Sequence, residues 1–476
     1  MKTSANRHQY PYYIANFKNR INNFLINSYA IHLLRKILRR IPMLQELAGY
    51  WQYLFKKRLL QNKYTQAALE NNRLGRATFI KPQLLIDVSG VVLHDIRTGI
   101  QRVTRSILQE LLLHPPEGFV VEPVYSDASG IFRYARQYER MMAHTANIKQ
   151  IEEPIITVNS GDIFYCPDTY FPYPFAMLSM LQQRGLHIIM TIYDLIPVQY
   201  GALYPKALTV GFSDWLEGVM RIADGVVCDS KAVTEEVRQW LNKHPDERHR
   251  PLPIGYFHLG SDIESSIPSQ GPEDEGENLL LACDLRPTLL MVGTLEPRKG
   301  HAQALAAAES LWKAGIDINL IIIGKEGWRT QRLARKLLYH KERDQRLFWL
   351  EGASDALLLR LYSNASALLA ASLAEGFGLP LIEAAHHGLP IIARDIPVFR
   401  EVASEHAFYF TGESAESLST AIRQWLILHD QGNVPNSRGI IFLSWEESAR
   451  QLVSIIIRKK WTFIWNQQEI HCGRAS

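Results

Sequence analysis

Two glutamates bracket a glycine loop in the stretch ASLAEGFGLPLIEAAHHGLPIIARD, Ala371 to Asp395. Glu375 precedes Gly376-Phe377-Gly378, and Glu383 lies in the segment that follows. Pro380 suits the first turn of a helix, and Gly388 closes it before the next apolar run. The glycines leave the amides of residues 376–379 uncovered just ahead of that helix, where unpaired N–H groups and the helix dipole attract a phosphate. Carboxylates accept paired hydrogen bonds from vicinal hydroxyls. A nucleotide sugar, with hydroxyls on both hexose and ribose, therefore fits the spacing. A plainer account also fits: Glu375 as a solvated loop residue and Glu383 as a favourable charge near a helix N-terminus.

A second constellation is VGTLEPRKGH, Val292 to His301, again an apolar run entering a loop ahead of a helical pattern. Arg298 offers a planar fork and Lys299 a point charge, the pairing that suits a diphosphate. An isolated Arg-Lys would more simply be an exposed basic pair in a turn. Its place at a strand end is what favours the anion reading.

Short apolar runs ending in polar residues position these loops. LLIDVSG, DIFYC, HIIMTIYD and GVVCDS occur between Leu84 and Ser230, separated by amphipathic stretches such as TGIQRVTRSILQELL from Thr98. TLLMVGT, INLIIIG, FWLEG, ALLAAS and LPIIARD repeat the alternation from Thr288 onward. Continuous apolar strands alternating with amphipathic helices predict parallel sheets covered on both faces. Ligands bind such sheets outside the carboxyl ends of the strands. Between the two regions, Ser265 to Glu277 (SSIPSQGPEDEGE) is too polar to bury much surface and reads as a connection. The expected division is a basic helical extension at 1–80, a first α/β domain at 81–262, a linker or insertion at 263–285, a second α/β domain at 286–457, and a basic, aromatic tail at 458–476.

Taken together, EGFGLPLIEA with its E-x7-E spacing and G-T-x-E-P-R-K, in that chain context, resemble the GT4 family of retaining GT-B glycosyltransferases. The resemblance spans residues 84 to 457 and implies two Rossmann-like domains facing a cleft, the second holding the donor. It implies that Glu375 contacts sugar hydroxyls, Glu383 the ribose, and the amides of Gly376, Phe377, Gly378 and Leu379 the sugar or diphosphate. Arg298 and Lys299 would grip the diphosphate. Many relatives carry Arg at the position of Thr294, so charge compensation here falls more heavily on those two cations. The segment from Asp87 resembles the first strand and glycine loop of the family's acceptor-side domain, with Gly99 at a helix start where a bulky side chain would obstruct the donor phosphate. Gly99 serving only a turn is the alternative, and Gln101 and Arg102 are then ordinary polar-face residues. TIYDLIPVQYGALYP, Thr191 to Pro205, resembles a strand-end loop in which many members have His before Asp; Tyr193 stands there instead, leaving Asp194 for a sugar or acceptor hydroxyl. Asp194 capping a turn before Pro197 fits equally.

The TGIQR start and DLIP loop resemble bacterial polysaccharide or O-antigen mannosyltransferases, which implies GDP-mannose as donor and a glycan or polyprenyl-diphosphate-linked acceptor. With no evident nucleophile, the implied chemistry is a same-face substitution with electrostatic stabilisation of the departing diphosphate. No Asp-x-Asp motif occurs, so no metal and no cofactor beyond the donor are expected. An epimerase on the same architecture and an inactive nucleotide-sugar-binding scaffold are the alternatives. The first would need an acid and a base beside the sugar, which Tyr193 does not supply; the second sits poorly with the presence of all four charged residues.

The bulk chemistry is consistent with this reading. A formal charge of +4 over 476 residues excludes a whole-molecule electrostatic attraction to nucleic acid. Cys166, Cys228, Cys283 and Cys472 are scattered, as expected in a reducing compartment. No secretory signal pattern and no apolar run of about 18 residues is apparent, so a cytoplasmic protein, peripheral on the inner face of the cell membrane, is expected. Ile31, Leu34, Leu38 and Ile41 recur at helical spacing around Arg35, Lys36, Arg39 and Arg40. Lys56, Lys57 and Arg58 follow Trp51, Tyr53 and Phe55. Such basic amphipathic segments suit an anionic membrane surface or pack on the protein with a solvated basic face.

Overall fold

The computed structural model describes residues 49–58, 81–93, 98–142, 152–261 and 276–467. The strands of the first half are β1 (Gln83–Asp87), β2 (Val120–Ser126), β3 (Phe132–Tyr134), β4 (Ile163–Cys166), β5 (His187–Ile192), β6 (Gly225–Cys228) and β7 (Leu252–Tyr256). Those of the second are β8 (Thr288–Val292), β9 (Asn319–Ile323), β10 (Leu347–Leu350), β11 (Ala367–Ala370), β12 (Ile391–Arg394), β13 (Phe408–Phe410) and β14 (Phe463–Trp465). One sheet runs β14-β7-β6-β5-β4-β1-β2-β3 and the other β10-β9-β8-β11-β12-β13. All pairs are parallel except β2 with β3 and β7 with β14, at the edges of the first sheet.

The apolar runs become central strands because helices cover both faces. Every residue of β4, β6 and β9 is buried. Removing each large aliphatic side chain from water stabilises the fold by about 1.5–3 kcal/mol. Strand order reverses beside β1 in one sheet and beside β8 in the other. These are the switch points where a parallel sheet opens a crevice at its carboxyl edge, and Gly90, Thr294 and Glu375 all follow strands that border them.

Two expected boundaries need correction. The segment assigned to a linker at 263–285 includes a helix, Glu277–Leu285, that buries Leu279, Ala282 and Cys283 and packs on helix Asp355–Asn364 of the second domain. Its apolar positions were masked by the acidic stretch before it; residues 262–275 lie outside the described residues. The second domain also ends before residue 457. Helix Trp445–Ile456 and β14 cross back to the first domain, where the helix packs on helix Gly99–Leu113 and β14 pairs with β7. Missing side chains make the seat: a Cβ on Gly260 would lie 2.6 Å from Trp445, one on Gly255 2.8 Å from Ile455, and one on Gly225 2.4 Å from Trp461. A tail pattern read along the chain could not reveal grooves formed by residues about 200 positions earlier.

Within the N-terminal extension, residues 49–58 form a helical stretch lying on helix Lys206–Ile222. Tyr53 donates to Asp214, and Lys57 Nζ meets the same carboxylate at 2.6 Å. Trp51 and Phe55 stay 67% and 64% exposed. The basic helix expected around Ile31 to Ile41 lies outside the described residues. Among the described residues, no helix is long and apolar enough to cross a membrane.

Candidate active site

The turn after β8 is built to hold its two cations. Pro297 opens a single 3-10 turn, Pro297–Lys299, and Gly300 leaves it at φ 74°, a left-handed conformation that costs a residue with a Cβ. Space demands glycine there as well, because a Cβ would lie 2.4 Å from the Ala371 carbonyl. The loops after β8 and β11 thus touch, and Arg298 and Lys299 reach Glu375.

Glu375 is held from three sides. Lys299 Nζ donates to Oε1 at 2.5 Å, Ser372 Oγ donates to Oε1 at 2.6 Å, and Arg298 Nη1 donates to Oε2 at 2.8 Å. Arg298 also donates to Glu296 Oε2 (2.8 Å) and to the Ala374 carbonyl (3.0 Å). Burial alone would push the Glu375 carboxyl up. The adjacent Lys299 and Arg298 outweigh burial and hold it down at about 2, so it is ionised at neutral pH. Burial pushes Glu296 up, with Arg298 opposing. His301, at the start of helix His301–Lys313, is buried beside these cations; burial first, then Lys299, brings it down to about 3, so the ring is neutral.

The first domain presents Asp194 at the end of β5. Burial raises its carboxyl, opposed by Arg298 and Lys299, which places it in the field of the same cations. It also accepts from the Ile196 amide at 3.0 Å, the bond of the turn-capping reading. Tyr204 joins this field: burial raises its phenol, with Arg298, Asp194, Glu296 and Glu375 as the charges around it. Tyr193 is a packing residue whose hydroxyl donates to the Pro167 carbonyl at 2.6 Å.

The glycine loop faces the first domain. A Cβ on Gly376 would lie 2.0 Å from the Tyr193 carbonyl, and Ser230 Oγ donates to the Gly376 carbonyl at 2.8 Å. Phe377 is buried against His258. Gly378 adopts φ 96° and admits the chain to helix Leu379–His386, where Pro380 sits in the first turn as expected. Leu379 is the neighbour of Gly99, 3.8 Å from where its Cβ would be. That is ordinary contact, so one methyl group at Gly99 is tolerated and only a larger side chain meets the loop. The Thr294 methyl lies beside Gly327, in the loop after β9, 3.0 Å from where a Cβ there would be.

Glu383 also stands apart from Glu375's cluster. It is 5% exposed, with Oε1 accepting from Arg102 Nη1 and Oε2 from the Tyr362 hydroxyl, each at 2.7 Å. Arg102 belongs to helix Gly99–Leu113 of the first domain, so this ion pair spans the cleft. The polar-face reading of Arg102 missed it, and nothing in the sequence marked Tyr362. Glu401 makes another crossing, accepting from the amides of Lys231 (2.7 Å) and Ala232 (2.8 Å) and pairing with His258 Nε2 (2.8 Å).

Comparison with known proteins agrees with this architecture. Residues 282–438 match the family profile described as glycosyl transferases group 1. The chain is 38% identical over 419 residues to the serotype-specific mannosyltransferase WbdA of Escherichia coli, an alignment covering 85% of this chain and 50% of that protein. The chain thus spans about half the length of this curated relative. Among solved structures, a sucrose-phosphate synthase from Thermosynechococcus elongatus superposes with a TM-score of 0.53 at 16% identity, covering 83% of this chain and 98% of that one. A glycosyltransferase from Rickettsia africae superposes with a TM-score of 0.53 at 17% identity, covering 83% and 99%. These two likenesses carry the fold, the two-domain GT-B architecture. The match to the glycosyl transferases group 1 profile falls within the second domain, which carries the Arg298, Lys299 and Glu375 cluster.

Proposed function

We propose that this chain is a retaining mannosyltransferase that moves mannose from GDP-mannose to a glycan or polyprenyl-diphosphate-linked acceptor in polysaccharide biosynthesis. The observation that carries the reading is the Arg298–Glu375–Lys299 cluster beside the N-terminus of helix Leu379–His386. It supplies two cations for a diphosphate at the start of a helix, where the dipole also favours an anion, and one carboxylate for sugar hydroxyls. The similarity to a mannosyltransferase favours mannose among the hexoses.

In this mechanism the cations exchange part of their contact with Glu375 for diphosphate oxygens. Glu375, ionised, then accepts from hexose hydroxyls and fixes the ring. The C1–O bond to phosphate breaks as the acceptor oxygen bonds C1 from the same face, and the acceptor proton passes to the departing phosphate oxygen. Arg298, Lys299 and the loop amides stabilise the charge that develops on the leaving group, the largest contribution fixed dipoles and charges make in such sites. Asp194 orients the sugar or acceptor from the opposite domain. No step calls on a divalent ion or a cofactor, so turnover should continue undiminished in excess chelator.

The enzyme acts at the cytoplasmic face of the membrane, where a lipid-linked acceptor is presented. Trp51 and Phe55, exposed beside Lys56 and Arg58, supply the apolar and basic contact for an anionic bilayer. Radiolabelled mannose transfer from GDP-mannose to a lipid-linked acceptor, with anomeric analysis of the product, tests the activity. A thermal-shift panel tests the donor: stabilisation by UDP-sugars with none by GDP or GDP-mannose would sink the mannose assignment.

A further inference from the structure

Arg102 enters the site from the first domain with only part of its guanidinium used. Nη1 donates to Glu383 Oε1 at 2.7 Å, whereas Nη2 is buried and has no hydrogen-bond partner. A guanidinium carries five N–H donors in a fixed fork, and a buried donor of a charged group left without an acceptor is costly. Glu383 does not take the second arm; its other oxygen accepts from Tyr362 at 2.7 Å. The local frame is rigid. Thr98 caps helix Gly99–Leu113 with a reciprocal Gln101 contact, and the Gln101 side chain reaches back to the Gly90 carbonyl at 3.0 Å. Arg102 is therefore held on the first turn of a helix whose start abuts Leu379, at the end of the glycine loop.

We propose that Arg102 is a donor-binding residue: its free arm donates to an oxygen of the ribosyl diphosphate, while its other arm keeps Glu383 oriented for the ribose. This rests on the nucleotide-sugar reading above. Because the cation belongs to one domain and the carboxylate to the other, the pair forms only when the cleft is closed, and bound nucleotide adds an acceptor that the closed protein lacks. Nucleotide affinity and closure are thereby coupled through one side chain. The contact is to ribosyl diphosphate and not to the base, so GDP and UDP both report on it.

The test is a double-mutant cycle on the whole chain, with R102Q, R102K, E383Q and R102Q/E383Q measured for GDP and UDP dissociation constants by calorimetry and for Tm. If Arg102 touches the nucleotide, R102Q/E383Q binds about tenfold more weakly than E383Q alone. R102K, which keeps the charge but not the fork, stays folded and still loses several-fold in affinity. A double variant that binds like E383Q alone means that Arg102 acts only through Glu383, and the assignment is overturned. A fall in Tm with unchanged nucleotide affinity in R102K overturns it too. Failure of the mannose reading is separate: it appears as absent transfer from GDP-mannose by the wild-type chain, while the nucleotide-binding cycle still returns its answer.

Discussion

The two glutamates sit in the same short segment yet live in different kinds of environment. Glu375 is enclosed by its own domain: Arg298, Lys299 and Ser372 all come from loops after β8 and β11. Glu383 is satisfied partly by Tyr362 of its own domain and partly by Arg102 from across the cleft. The first cluster is electrostatically self-neutralised, so an anion that drew on its cations would displace an internal ion pair. The second is completed by a side chain from the other domain. One sequence motif thus contributes one carboxylate to a preformed site and another to a domain-crossing contact.

The sharpest way to break the contrast is Glu375→Gln. If Glu375 serves the sugar, turnover falls by about 10²–10³-fold, while GDP affinity holds or increases because Arg298 and Lys299 lose their internal competitor; calorimetry and single-turnover transfer separate the two. A parallel loss of GDP binding would make the cluster a nucleotide anchor instead. Next in size is Arg298→Met, expected to weaken GDP binding by ten- to a hundred-fold through loss of charged hydrogen bonds. It should also lower Tm, since Glu296 and Glu375 are left buried without that partner.

Glu383→Gln should cost about tenfold in nucleotide affinity and leave kcat at saturating donor close to wild type, the opposite of Glu375→Gln. Equal effects of the two variants on kcat would erase the division of labour. The smallest effect concerns acid stability. A buried histidine whose folded pKa is about 3 binds fewer protons than the unfolded chain below its ordinary value of about 6.5. His301 therefore costs the fold nothing above about pH 6.5 and takes stability away as pH falls from there toward 3. Urea midpoints of wild type and His301→Asn should converge or cross over that window, with the variant losing less on acidification. Glu375, with a depressed folded pKa, contributes stability above about pH 4.3 that is lost as pH falls toward about 2, so of the two groups only His301 acts between about pH 6.5 and 4.3.

Much of the site was legible because its chemistry is local. Glycines at 376, 378 and 388 and Pro380 announce their turns and helix ends through backbone sterics alone, and the apolar runs β8 and β11 announce their strands. The alternative that makes Arg102 a polar-face residue misses its partner, because helical periodicity says which side of a helix is solvated but not what lies beyond it. Tyr362 carried no signal for the same reason. Asp194 caps its turn, as the Asp before Pro197 suggests from local chemistry alone. The helix Trp445–Ile456 was assigned to the nearer domain by chain order, and the glycine-lined seat that draws it back to the first sheet is made of residues scattered over β6, β7 and Gly260.

The sequence by itself determined the alternating parallel-sheet architecture, the two strand-loop-helix junctions and the charged residues on them, since periodicity, turn sterics and helix-end electrostatics act over a few residues. Only the tertiary structure decided that Glu375 is neutralised from within, that Glu383 is met by Arg102, and that helix Trp445–Ile456 and β14 return to the first domain. Those outcomes depend on burial and on distances between groups far apart in the chain, where desolvation and Coulomb energy, not local propensity, select the partner.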